Sequence, residues 1–370
     1  RLMYEALNGR QVEWTAEEAD SWQRHGDLNA SLFTGPYDAV VVHEPQAMGL
    51  LSALAERGRD GEGGQWVWHC HMDLRRALPQ VMETLLPALR RFDARVIPHP
   101  AFVPPEVEVS SVTVVAPAID PTCSWNVELP SNTVGDHLAR HGLDRGRPLV
   151  VQVGPLDAAF DPTGAIDVCR LARTERPDIQ LLLIQPTVET SVQAWARFEQ
   201  VARYAAGDSG VHVLVGQGDV GHLTLNAAQR AATVVVQRSV PAGFAPQLWD
   251  AQWKGRPVVA GISGGLPDQV VDGETGYLAS DDEAFVDAIL ALVGDPARAT
   301  RMGEAGHEAV RRSHLITRFL SDELHLLGRL LSADTTDRGH PREAPAGSIH
   351  SDLLVVGGGE VAAGHPSELR

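Results

Sequence analysis

Pro148-Leu-Val-Val-Gln-Val-Gly154 is an apolar run of strand length, closed by a glycine and followed by a helix-length stretch over residues 164–173. The pattern then repeats. Ile179-Gln-Leu-Leu-Leu-Ile184 precedes a helical stretch at 192–205, and Val211-His-Val-Leu-Val215 precedes one at 223–231. Thr233-Val-Val-Val-Gln237 precedes one at 245–254, and Pro257-Val-Val-Ala260 closes the series. Five apolar runs alternating with helices predict a parallel sheet covered on both faces, a Rossmann-like domain.

The chain before this stretch carries the same rhythm. Asp38-Ala-Val-Val-Val-His43 is a β-branched run that ends in the polar tip His43-Glu44-Pro45-Gln46, where the proline forces a turn. Gln65-Trp-Val-Trp-His-Cys-His71 ends similarly in His71-Met-Asp73, a helical stretch follows at 78–92, and two further runs follow at 94–97 and 112–117. Near Asn126-Val-Glu-Leu-Pro130 the pattern breaks, and a helix at 134–141 and a turn at 142–147 lead into the second series. The expected organisation is therefore a first α/β domain over residues 1–125, a linker over 126–146, and a second domain over 147–310. A helix crossing back over 311–332 and a disordered tail over 333–370 complete it. The tail is rich in Asp, Thr, Gly, Pro, Glu and Ser and contains Gly357-Gly-Gly359 after a strand-like Leu353-Leu-Val-Val356.

Composition narrows the function classes. The 370 residues are 44% hydrophobic and 21% charged, ordinary for a globular protein. A net charge of -17 repels a phosphate backbone, and arginine pairs such as Arg75-Arg76 and Arg311-Arg312 read as solvated helix faces, so nucleic acid is not expected as a partner. Cys70, Cys123 and Cys169 show no C-x-x-C spacing, so neither a metal site nor a disulfide framework is expected. No apolar run reaches the roughly 18 residues of a membrane helix, and the start lacks a basic-then-apolar signal pattern. The expected address is the cytoplasm, without membrane partners, and a homodimer is left open.

Ser263-Gly-Gly265 after the run at 257–260, then Val271-Asp-Gly-Glu-Thr-Gly-Tyr-Leu278, is the most specific text in the chain. The paired glycines let backbone approach a ligand at the carboxyl edge of a parallel sheet. Together with Trp253-Lys-Gly-Arg-Pro-Val-Val259, this order resembles the retaining GT-B glycosyltransferases that include glycogen and sucrose synthases. Within them it is most similar to trehalose glycosyltransferring synthase and trehalose phosphorylase. His43-Glu-Pro-Gln46, His71-Met-Asp73, Pro117-Ala-Ile-Asp-Pro121, Asn126-Val-Glu128 and Asn226-Ala-Ala-Gln-Arg-Ala231 support it in family order, from about residue 2 to 331.

The resemblance implies a GT-B fold, two Rossmann-like domains facing a cleft. It also implies retaining transfer of glucose from a nucleoside diphosphate glucose to a sugar acceptor, with no cofactor and no metal. The donor would sit against the second domain, at Gly154, Gly243, Phe244 and Asp250, and the acceptor against the first, at His43, Gln46, His71 and Asp73. Relatives begin with a strand and a glycine-rich loop before the point matching Leu2, so the first domain is expected to be incomplete. The sequence also departs from the pattern where charge is needed. Members carry an arginine and then a lysine aimed at the diphosphate, where this chain has Pro155 and Phe160. Two glutamates flank a Gly-Phe in the family, and here they are Ala242 and Asp250. His69 stands where an arginine is expected, and the Trp66 and Trp68 pair reads as packing. No catalytic residue is therefore assigned. An active enzyme, an inactive relative that binds sugar or nucleotide or pairs with an active paralogue, and a truncated remnant all stay open.

Overall fold

The computed structural model describes residues 2–59, 62, 64–186, 192–216, 220–239, 243–337 and 353–356. It divides into two compact units, one of residues 1–116 with 319–370 and one of residues 117–318.

The first unit opens with two helices, α1 (Leu2–Leu7) and α2 (Ala16–Leu32), and continues as β1 (Ala39–His43), α3 (Gly49–Glu56), β2 (Gln65–His69), α4 (Pro79–Leu89), β3 (Ala94–Ile97) and β4 (Thr113–Val114). The run expected over 112–117 shortens to these two residues, paired with Val96 and Ile97, beyond which the partner strand runs into Pro98 and its missing N–H. Every ladder in this sheet is parallel. β1 and β2 are in register to their last residues, with His43 opposite His69, so two histidines stand side by side at the carboxyl edge.

The second unit comprises α5 (Ser131–Arg140), β5 (Leu149–Val153), α6 (Pro162–Glu175), β6 (Gln180–Gln185), α7 (Val192–Ala205), β7 (Val211–Val215), α8 (His222–Ala231), β8 (Val234–Gln237), α9 (Pro246–Trp253), β9 (Val258–Ala260), β10 (Gly276–Leu278), α10 (Asp282–Gly294) and α11 (Pro296–Ser313). Its sheet is parallel, in the order β10-β9-β8-β5-β6-β7. Two apolar layers cover the faces. Val150, Leu181 and Leu183 pack under α6 and α10, and Val151, Leu182 and Val235 under α5, α8 and α9. Strand order reverses direction at β5, between β8 and β6, and ligands of open α/β sheets bind at such a point.

Residues 117–146, expected as the end of the first domain and a linker, pack within the second unit. Ile119 bridges Leu315, the Asn126 side chain reaches α9, and Val134 and Leu138 of α5 enter the apolar layer of α8. The amphipathic stretch at 297–331 is two helices, α11 and α12 (Ile316–Asp337), broken where Leu315 meets Ile119. From Phe319 onward α12 belongs to the first unit, and Phe319, Leu326, Leu327 and Leu330 cover Val41, Val67 and Val96. The tail expected to be disordered supplies β11 (Leu353–Val356), a parallel edge strand on β1. Gly357, Gly358 and Gly359 lie outside the described residues. No helix among the described residues is long and apolar enough to cross a membrane.

Candidate functional site

A cavity of about 390 Å³ opens at the carboxyl end of β5, where the strand order reverses. Gly154, Phe244 and Asp250, three of the four residues expected on the donor side, line it together with Pro155 and Phe160. Trp125, His222, Leu225 and Gln247 complete much of the wall. Gly243, the fourth, holds φ +80, and its carbonyl accepts the Gly265 N–H at 2.8 Å, which ties the paired glycines to this loop. Gly264 itself sits at φ +58, a conformation that favours glycine. Ala242 lies outside the described residues.

No Lys or Arg lines this cavity among the described residues. The sequences of 187–191, 217–219 and 240–242, which lie outside them, contain none either. Phe160 places its ring so that a Cβ on Gly154 would lie 3.3 Å from it, which puts an aromatic edge where the resemblance implies a cation. The start of α6 is also occupied. Asp161 caps it by accepting the Gly164 N–H at 3.0 Å, so the dipole that would attract a phosphate already faces a carboxylate. Arg238, the residue after β8, pairs with Asp161 at 3.0 Å and Asp282 at 2.7 Å, and lies over the Phe285 ring.

Beneath the cavity is a buried polar network. Lys254, the only lysine in the sequence, donates from Nζ to Asn126 Oδ1 at 2.6 Å, Gln229 Oε1 at 2.7 Å and the Asp250 carbonyl at 3.1 Å. Asp250 accepts from Asn126 Nδ2 at 2.6 Å and from the Trp125 side chain. Burial pushes the Lys254 ammonium down to about 7 and the Asp250 carboxyl up, each toward its neutral form. Neither is free to meet a diphosphate. Asn226 and Arg230 of α8 fasten the same loop through the Val127 carbonyl at 2.7 Å and the Asn126 carbonyl at 2.8 Å. Much of the text that carries the resemblance is therefore scaffold for the cavity rather than its lining.

In the first unit the expected acceptor residues separate into two groups. Asp73 is buried and bound by Arg75, with Nη2 to Oδ2 at 2.7 Å, and Arg75 lies over Phe102. Gln46 keeps a buried Oε1 without a hydrogen-bond partner. His43 and His71 meet, with Nδ1 of the first 3.1 Å from Nε2 of the second. His69 joins them, its ring centroid 4.3 Å from that of His71 and 5.1 Å from that of His43. One ring nitrogen from each of the three lies within 4.8 Å of the others, a grouping able to hold a metal ion. No metal-ligand spacing is expected from the sequence, and the structure brings these three histidines together. Cysteine spacing carries no signal of them, because strand register assembles them.

Burial pushes His69 down to about 3, with the neighbouring histidines adding to the effect, and enclosure of one side of the otherwise exposed His71, with His43 beside it, takes His71 to about 4. Burial raises Glu44 to about 7. Glu44 adopts φ +66, which a non-glycine residue holds only under strain, while its N–H donates to the His69 carbonyl at 2.9 Å and its carboxylate accepts the His71 N–H at 3.3 Å. Glu323 of α12 approaches His69 Nδ1 at 3.4 Å. Nothing in the sequence pairs residue 69 with residue 323.

Residues 1–104 match the family described as Trehalose synthase, N-terminal domain, and residues 135–309 match Glycosyl transferases group 1. A trehalose synthase of Rubrobacter xylanophilus is 34% identical over 331 residues, covering 90% of this chain and 75% of that protein. Among solved structures, an alpha,alpha-trehalose-phosphate synthase (UDP-forming) from Burkholderia vietnamiensis aligns with TM-score 0.71 at 16% identity, over 90% of this chain and 82% of that one. Anabaena Alr3699/HepE, solved in complex with UDP and glucose, aligns with TM-score 0.65 at 13% identity, over 86% and 84%. Two parallel α/β units and these neighbours make the fold GT-B, and the chain belongs to the trehalose-synthase family of group 1 glycosyltransferases.

Proposed function

We propose that the cavity of the second unit holds a nucleoside diphosphate glucose by its nucleoside end. Transfer of the glucose to a sugar acceptor, with retention of configuration, is then strongly attenuated. The observation that carries this reading is the cavity wall: apolar, aromatic and amide side chains, one histidine, one engaged carboxylate, and no lysine or arginine among the described residues. Departure of the diphosphate builds negative charge, and loss of one preorganised donor to such charge costs about 3 kcal/mol, or roughly a hundredfold or more in rate. Family membership and a structural neighbour solved with UDP and glucose support the choice of ligand. Binding without transfer is a second reading, favoured by the carboxylate that already caps α6.

The test is turnover with UDP-, ADP- and GDP-glucose and glucose as acceptor, run beside the Rubrobacter trehalose synthase. The expected result is an α,α-linked disaccharide formed at least about a hundredfold more slowly than by that relative. Comparable turnover would overturn the reading, and binding with no product at all would select the second one.

A further inference from the structure

We propose that His43, His69 and His71 form a binding site for a divalent transition-metal ion, with Zn²⁺ the best match. The geometry arises from the backbone. β1 and β2 end in register, which sets His43 beside His69, and the chain turns after β2 to bring His71 back over both. Tetrahedral zinc with Zn–N of about 2.0–2.1 Å needs ligand nitrogens about 3.3 Å apart. His43 Nδ1 and His71 Nε2, at 3.1 Å, already meet that spacing. The third nitrogen lies within 4.8 Å of both, a gap that rotation of one ring closes.

An independent observation points to a ligand. The His69 side chain is 1% exposed, and its Nε2 has no hydrogen-bond partner. Leaving a buried nitrogen unsatisfied costs about 1–3 kcal/mol, which a bound cation would remove. The other ring nitrogen, Nδ1, lies 3.4 Å from Glu323 Oε1, which makes no hydrogen bond here but stands where a carboxylate can orient a metal-bound imidazole and raise its basicity. His71 is exposed, so the fourth position faces outward and can take water or a hydroxyl-bearing ligand. Three imidazoles with one open position suit zinc, nickel or copper, and exclude the all-oxygen shells of calcium and magnesium.

Titration of the full-length protein with ZnCl₂, after removal of metal by chelator, tests the site. The expected result is one zinc per chain at micromolar or tighter affinity, and Co²⁺ in its place showing the intense visible absorption of a tetrahedral ion. His71→Ala, at an exposed position, weakens binding by about a hundredfold or more, and Glu323→Gln by about tenfold to a hundredfold. His25→Ala, a surface control, changes nothing. Absence of stoichiometric zinc, or equal affinity in the protein and in His71→Ala, would overturn the proposal.

Discussion

Replacing Lys254 by methionine lowers the stability of the second unit by about 3–5 kcal/mol at pH 8, seen as a fall in the urea midpoint. Methionine keeps the volume and the unbranched shape, so packing is spared. What is lost is the donor to Asn126, Gln229 and the Asp250 carbonyl, with three N–H groups as the ammonium below about 7 and two as the neutral amine above it. Burial holds the ammonium at about 7 in the folded protein, against 10.5 for an unperturbed lysine. Between those values the unfolded chain binds a proton that the folded chain does not, so wild-type stability rises with pH through this window. The loss on substitution is accordingly larger at pH 8 than at pH 6. A loss below about 1 kcal/mol, or one that shrinks as pH rises, would show that Lys254 does not hold this network.

Installing the absent cations has the opposite character, a gain confined to the ligand. Pro155→Arg with Phe160→Lys tightens binding of a nucleoside diphosphate by about a hundredfold. Each charge-assisted hydrogen bond contributes about 1.5–3 kcal/mol, offset in part by the packing of Phe160 on the apolar layer of α8 and α9. Affinity for the bare nucleoside does not rise, and the added affinity falls with rising salt. Both positions line the cavity directly after β5, so the new charges enter it without moving a strand. No gain would mean that these positions do not face the phosphates.

The sequence is a good guide to this fold for a physical reason. Parallel strands buried on both faces read as unbroken apolar runs, and β5, β6, β7, β8 and β9 fall within the runs at 148–154, 179–184, 211–215, 233–237 and 257–260, β6 running one residue further. The polar tips at His43 and His71 are legible for the same reason, since they end or follow strands. The division of the chain is not. Residues 117–146 look like a connection because their partners, Leu315, Asp250 and Asn226, are distant in sequence. Likewise β11 joins its sheet from the far end of the chain, where composition argues for disorder. His69 illustrates the same gap at the level of a site. Read alone it is a missing arginine, and only the pairing of His43 with His69 makes it the third member of a cluster. The reading of Asp250 as a donor-side residue also misses the buried lysine that faces it.

In the proposed function the family's donor cavity persists without a lysine or arginine to grip a diphosphate. Calorimetric titration of the unmodified protein with uridine, adenosine and guanosine, each beside its diphosphate, tests it most directly. For the nucleoside that binds, the predicted dissociation constants of nucleoside and diphosphate agree within about threefold, a difference under about 1 kcal/mol. A diphosphate bound a hundredfold more tightly than its nucleoside would show a cation reaching the cavity and would overturn the proposed function.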